Sequence, residues 1–254
     1  MAFVAYEMFL TDVCVCLPLT LLLIAFSCRV ILQSKQVPVI YYTNLLITTL
    51  LQLCAMIALV ANAGQVTYDS VSISVYAASM MANLGFKACI ALERLSAVTC
   101  QLLDFIRHMK GSVVACVVIW ILCIVTVCLA VEKVFLVSIL ALFFAPLFIL
   151  FLAGSLMALP AATSVPVDEK RRIMGAVVLL FLNYFVMIFP MITLTLHARS
   201  HQPDAYSVDA VLRLFLLSPF ADLILFVFMW KGWTDRLLAY LCCCISDVSA
   251  ASAV

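Results

Sequence analysis

One stretch decides the fold: Ser112 to Leu159, SVVACVVIWILCIVTVCLAVEKVFLVSILALFFAPLFILFLAGSLMAL. It is about twice the ~20 residues that one membrane-crossing helix needs. Its charges are Glu132 and Lys133, side by side near the middle. Two spans joined by a tight hairpin at that pair, about Ser112 to Val131 and about Val134 to Leu159, are the economical reading. The rest of the chain has the same character. Of its 254 residues 67% are hydrophobic and 11% charged, with a mean hydropathy of +1.26. A soluble domain is about 45–50% apolar and about 25% charged. This composition leaves too little charge to cover a soluble fold and excludes a soluble enzyme or binding module. Fourteen Lys and Arg against thirteen Asp and Glu give no basic bias, so nucleic acid is not an expected partner.

Cutting the remaining apolar runs at charges and turn residues adds five spans. They are about Val13 to Ile31, Val39 to Asn62, Ser70 to Val98, Ile173 to Leu196 and Val208 to Trp230. The expected class is an all-α membrane protein, a bundle of seven transmembrane helices. Arg29, Lys35, Arg107, Lys110, Lys170, Arg171, Arg172, Lys231 and Arg236 collect in one set of loops. The other set holds Lys133, Arg199 and Arg213 among Glu7, Asp12, Asp69, Glu132, Asp204 and Asp209. The basic side is cytoplasmic by the positive-inside rule, which puts the N-terminus outside. Acids before the first span and bases after it are the reverse of a cleaved signal, so that span is expected to stay as an anchor.

Lys231 to Leu241 reads as an amphipathic eighth helix, with Trp233, Leu237, Leu238 and Leu241 on one face. Cys242, Cys243 and Cys244 follow it at the inner leaflet, placed for S-palmitoylation. Eight of the other cysteines lie inside apolar runs, where Cys packs as a small hydrophobe. No cysteine or histidine cluster has zinc spacing, and neither a metal nor a cofactor is expected. No disulfide is expected among Cys14, Cys16 and Cys128. The carboxyl terminus, Ser252-Ala253-Val254, fits the pattern of PDZ ligands, which makes a PDZ protein a candidate partner.

Several landmarks fall in order along the spans. Span two carries Asn44-Leu45-Leu46-Ile47-Thr48-Thr49-Leu50, and span three ends in Ala91-Leu92-Glu93-Arg94-Leu95-Ser96. Span four holds Trp120, span five Pro146, span six Pro190, and span seven Ser218-Pro219-Phe220-Ala221-Asp222. Over its whole length the chain resembles the rhodopsin-like G protein-coupled receptors. The resemblance implies a receptor-like domain over residues 1–241, a short cytoplasmic tail over 242–254, and a place in the plasma membrane. It implies no enzyme, but a protein that senses a small, lipophilic extracellular ligand among membrane lipid and couples to a heterotrimeric G protein. Glu93, Arg94 and Leu102 would then be the transducer-coupling residues, and Pro146, Pro190 and Pro219 the helix hinges.

The chain also departs from that family. Leu95 follows the arginine instead of tyrosine, Thr49 replaces the span-two acid, and Ser218 replaces the asparagine before the span-seven proline. Span six reads Met187-Ile188-Phe189-Pro190 without the family's tryptophan, and the cysteine expected at the outer end of span three is missing. These losses raise the alternative of a signalling-impaired, receptor-like protein that acts as a scaffold or heterodimer partner.

Two further charges stand at membrane depth. Lys87 lies about 10 Å outward of Arg94, and Asp222 about 13 Å outward of Lys231, at 1.5 Å rise per residue. A charge at the bilayer centre costs at least ~2.5–3.5 kcal/mol, so such residues face the interior and pair. Lys87 and Asp222 are expected to form a buried salt bridge, with Asn83, Ser218, Asn183 and Thr49 as the polar network around it.

Overall fold

The computed structural model describes residues 13–25, 27–28, 37–61, 66–99, 109–132, 134–161, 167–197, 210–211, 214 and 217–229. Among them every regular element is helical. The helices are α1 (Val13–Ala25), α2 (Val37–Ala61), α3 (Val66–Thr99), α4 (Met109–Glu132) and α5 (Val134–Leu142). They continue with α6 (Phe144–Ala161), α7 (Val167–Leu182), α8 (Phe189–His197) and α9 (Ser218–Met229), with a π-helical turn, Asn183–Ile188, between α7 and α8. In lipid each backbone N–H and C=O must find a partner within the chain, and a helix supplies one locally. Among the described residues four segments are long and apolar enough to cross a membrane: Ile40–Ala58, Val71–Ser96, Leu136–Ala158 and Ile173–His197. Val13–Ala25 and Gly111–Thr126 are shorter apolar helices. The protein is therefore an all-helical, membrane-embedded one.

The central helix is α3, which packs against α2, α4, α5, α6 and α7. On α4 the buried residues Ser112, Cys116, Ile119, Cys123 and Thr126 form one stripe at helical spacing. Val113, Val117, Ile121, Leu122, Ile124 and Val125 leave the rest of its surface apolar and exposed. A Cβ added at Gly85 of α3 would lie 3.2 Å from Ile119 Cγ2, so the missing side chain lets the two helices approach closely. On α1, Cys16, Thr20 and Leu23 make a similar buried stripe.

The contacts along α3 give the direction of its neighbours. Cys123 donates its thiol to the Ala78 carbonyl at 3.3 Å, and Ile119 faces Gly85, so α4 runs antiparallel to α3. Gly154 of α6 lies against Leu95, further along α3 in its own direction. Continued straight, α4 would carry residue 154 roughly 45 Å the other way, by the rise per residue. The chain therefore reverses between Glu132, which ends α4, and Val134, which opens α5. The hairpin expected at Glu132-Lys133 matches this reversal, while Lys133 itself lies outside the described residues.

Two spans expected to be continuous are interrupted. The fifth breaks at Phe143, whose N–H reaches back to the Leu140 carbonyl at 3.2 Å in a tight turn. The sixth is widened by the π turn. Both interruptions precede a proline, which has no N–H for the carbonyl four residues back and collides with it. Proline is tolerated in a helix's first turn, where that N–H has no partner anyway. Pro146, Pro190 and Pro219 all fall within the first three residues of a helical segment: α6, α8 and α9. In the expected seventh span Ala210, Val211 and Leu214 are helical, the Leu217 N–H reaches the Leu214 carbonyl at 3.2 Å in a turn, and α9 starts at Ser218, directly before Pro219.

Candidate functional site

The site grows from two positions on α3. Asn83 and Lys87 are four residues apart, hence stacked on one helix face, and both are buried. On α9 the same face carries Ser218 and Asp222, also buried. The Lys87 ammonium lies 2.6 Å from Asp222 Oδ1, with the two side chains 0% and 1% exposed. Removing both charges from water is expensive, and attraction offsets that cost only when the remaining donors and acceptors also find partners.

Those partners are present. Lys87 Nζ donates to Asn183 Oδ1 at 2.7 Å. The second carboxylate oxygen of Asp222 accepts from Asn83 Nδ2 at 2.9 Å and from Thr49 Oγ1 at 3.3 Å. Asn83 Nδ2 also lies 3.4 Å from the hydroxyls of Thr48 and Thr49. Thr48 spends its proton on the Leu45 carbonyl at 2.7 Å, which leaves its oxygen free to accept. Thr49 stands within reach of both Leu45 O, at 3.0 Å, and Asp222, and its single proton serves one of them at a time. One charge-neutral cluster thus ties together α2, α3, the π turn and α9. Ser218 sits one turn before Asp222, and no hydrogen bond among the described residues joins it to the cluster.

Asn183 reaches the cluster because the π turn begins there. An i→i−5 bond from Phe189 N–H to Tyr184 O closes the wide turn. The next residue, Tyr184, is fully buried, and its hydroxyl donates to the Ala141 carbonyl at 2.8 Å. Ala141 is the penultimate residue of α5, so the tyrosine braces the break ahead of Pro146. Single π turns inside α-helices concentrate at functional sites.

A second layer lies about 10 Å toward the foot of α3, seven residues on. There Arg94 Nη2 donates to the Tyr42 hydroxyl at 3.4 Å, and Tyr42 meets Phe226 edge to face, centroids 6.2 Å apart. The same three helices therefore supply both layers: Thr49 and Tyr42 from α2, Lys87 and Arg94 from α3, Asp222 and Phe226 from α9. Glu93, next to Arg94, is half-buried. A third, neutral contact joins the span-two and span-four landmarks. Trp120 Nε1 donates to Asn44 Oδ1 at 2.9 Å, while Asn44 Nδ2 reaches the Ile40 carbonyl at 2.8 Å and Cys116 Sγ at 3.6 Å.

Of the residues singled out in the sequence, Lys87, Asp222, Asn83, Asn183 and Thr49 come together in one cluster. Glu93 and Arg94 stand a layer away, and the three prolines mark the starts of α6, α8 and α9. Leu102, the amphipathic segment Lys231 to Leu241, Cys242, Cys243, Cys244 and the carboxyl terminus lie outside the described residues. Sequence reasoning missed Tyr42 and Tyr184. Nothing but its place two residues before Asn44 marks Tyr42, and Tyr184 gains its role from the π turn. Among the described residues no group of three or more His, Cys, Asp or Glu could hold a metal ion. No family model matches the chain, and no curated protein matches it.

Proposed function

We propose that this is a divergent receptor of the rhodopsin-like G protein-coupled type: a seven-span bundle in the plasma membrane with its N-terminus outside. A small lipophilic ligand entering from the outer side shifts the helices, and a heterotrimeric G protein engages beside Arg94. The observation that carries the reading is the Asn44–Trp120 hydrogen bond at 2.9 Å. Two residues picked only as family landmarks, on separate helices, form a direct contact. The landmark arginine supports it too, standing at the foot of α3, the helix that packs against α2, α4, α5, α6 and α7. Ligand binding would do no covalent chemistry. It would bias an equilibrium between helix arrangements by its differential affinity for them.

The test is guanine-nucleotide exchange in membranes co-expressing the full chain with a promiscuous G protein, during a screen of small lipophilic compounds. At least one compound is expected to raise exchange, and Arg94→Ala to abolish the rise at equal surface expression. A response that Arg94→Ala leaves untouched would overturn the reading. The second reading, a signalling-impaired scaffold or heterodimer partner, is favoured by Ile188 standing where the family has its tryptophan, two residues before Pro190, and by the Lys87–Asp222 bridge tying α3 to α9. A scaffold keeps its partners whether or not Arg94 is present.

A further inference from the structure

The π turn holds one residue more than a regular helical turn, and it lies between the two halves of one span. Its two leading side chains, Asn183 and Tyr184, are each committed to a partner on another helix: Lys87 at 2.7 Å and the Ala141 carbonyl at 2.8 Å. A regular α-helix turns about 100° per residue, from 3.6 residues per turn. If the wide turn relaxed to regular α geometry while α8 stayed in place, everything before it would rotate by one residue's worth. Tyr184 would then take the direction Asn183 holds now. A phenol oxygen would replace the amide oxygen beside the Lys87 ammonium, and the Ala141 carbonyl would lose its donor.

We infer that the turn over residues 183–188 is a two-state element, wide or regular, that exchanges Asn183 for Tyr184 beside the Lys87–Asp222 pair and rotates α7 against α8. It needs neither a ligand nor a transducer and stands apart from the receptor reading. The buried ammonium keeps an oxygen partner in both states, so neither state strands a charge. Pro190 favours the wide state, because a regular helix would require the N–H it lacks to meet the Val186 carbonyl. The rotation has a readable consequence at the Arg94 end of the protein, where α7 begins. A side-chain tip about 5–6 Å from the helix axis moves on the order of 8 Å when the helix turns by ~100°.

The test places spin labels on the full chain in lipid nanodiscs at Arg171 of α7 and Val113 of α4, both exposed at that end. Attachment through a keto amino acid ignores the twelve cysteines. Pulsed electron–electron distances are compared in four chains. The parent is expected to show a main distance. Pro190→Ala, which restores the N–H, and Asn183→Leu, which removes the amide, should each raise a second distance displaced by several ångströms. In the fourth chain Val186, an exposed residue within the turn, is deleted together with Pro190→Ala, which removes the extra residue without changing the phase of the flanking helices and leaves no proline inside the regular helix. That chain should hold the main distance alone. Unchanged distributions in both substituted chains would overturn the inference, and so would a second distance in the deletion chain. Should Pro190→Ala fail to fold, Asn183→Leu decides.

Discussion

The spans Val71–Ser96 and Leu136–Ala158 differ in a way that inverts the rule for soluble proteins. The first carries Asn83, Lys87, Glu93 and Arg94 and is 61% buried within the protein; the second carries no charge and is only 28% buried. In water the apolar helix would be the core. In a bilayer the surroundings are as apolar as leucine, so burying an aliphatic face brings no hydrophobic driving force. Polar groups, which lipid cannot satisfy, then set which helix goes to the centre. The position of α3 among its neighbours follows from its polar residues.

The largest expected effect breaks that rule at its strongest point. Lys87→Met or Asp222→Leu alone strands the partner's charge and should cost ~3–5 kcal/mol, the range for removing one member of a buried pair. The double substitution should cost clearly less than the sum, since no charge then remains. Thermal unfolding of the four purified proteins in one detergent measures the cycle, and additive losses would mean that the two charges act independently. A smaller effect is expected at the neutral contact. Asn44→Leu with Trp120→Phe should show a coupling near ~0.6 kcal/mol and below ~1.7, the span found for hydrogen bonds between membrane helices.

Packing comes next. Gly85→Ala forces Ile119 to give way by a few tenths of an ångström, and should cost up to ~1 kcal/mol, the low end of overpacking. Ile119→Val in the same chain should recover most of that loss. At the bottom of the scale stand the exposed residues of α4. Ile124→Leu and Val118→Ile should change stability by less than ~0.5 kcal/mol, as substitutions outside packed or paired features do. A larger loss at Ile124 would show that this surface meets protein instead of lipid.

How much of this was legible before the structure depends on how far each feature is local. Lys87 and Asp222 stood out because charges are rare at membrane depth and their distances from the span ends can be counted along a helix. Asn44 and Trp120 stood out as landmarks, although no spacing rule says that they touch. The reversal at Glu132-Lys133 could be read because two charges cannot be left in the middle of an apolar run. The wide turn could not. A π turn adds one residue to a helix without any composition of its own, and Pro190 announces only that something must yield before it. Tyr42 was equally silent. Its contact with Arg94 depends on how α2 and α3 are rotated against each other.

The reversal between α4 and α5 also constrains how the chain comes to be built. With one residue between the two helices, their adjoining ends start as neighbours, and closing so short a loop costs little chain entropy. The contacts of α3 with α6 and α7 bring together segments farther apart in sequence, and such pairings form more slowly. The arms of this hairpin can meet before the Lys87–Asp222 bridge, whose partners lie on α3 and α9, has its second half in place. During synthesis the lysine on α3 waits without its aspartate until α9 has been made. The order of assembly is thus set by the reversal between α4 and α5 and completed by an ion pair between α3 and α9.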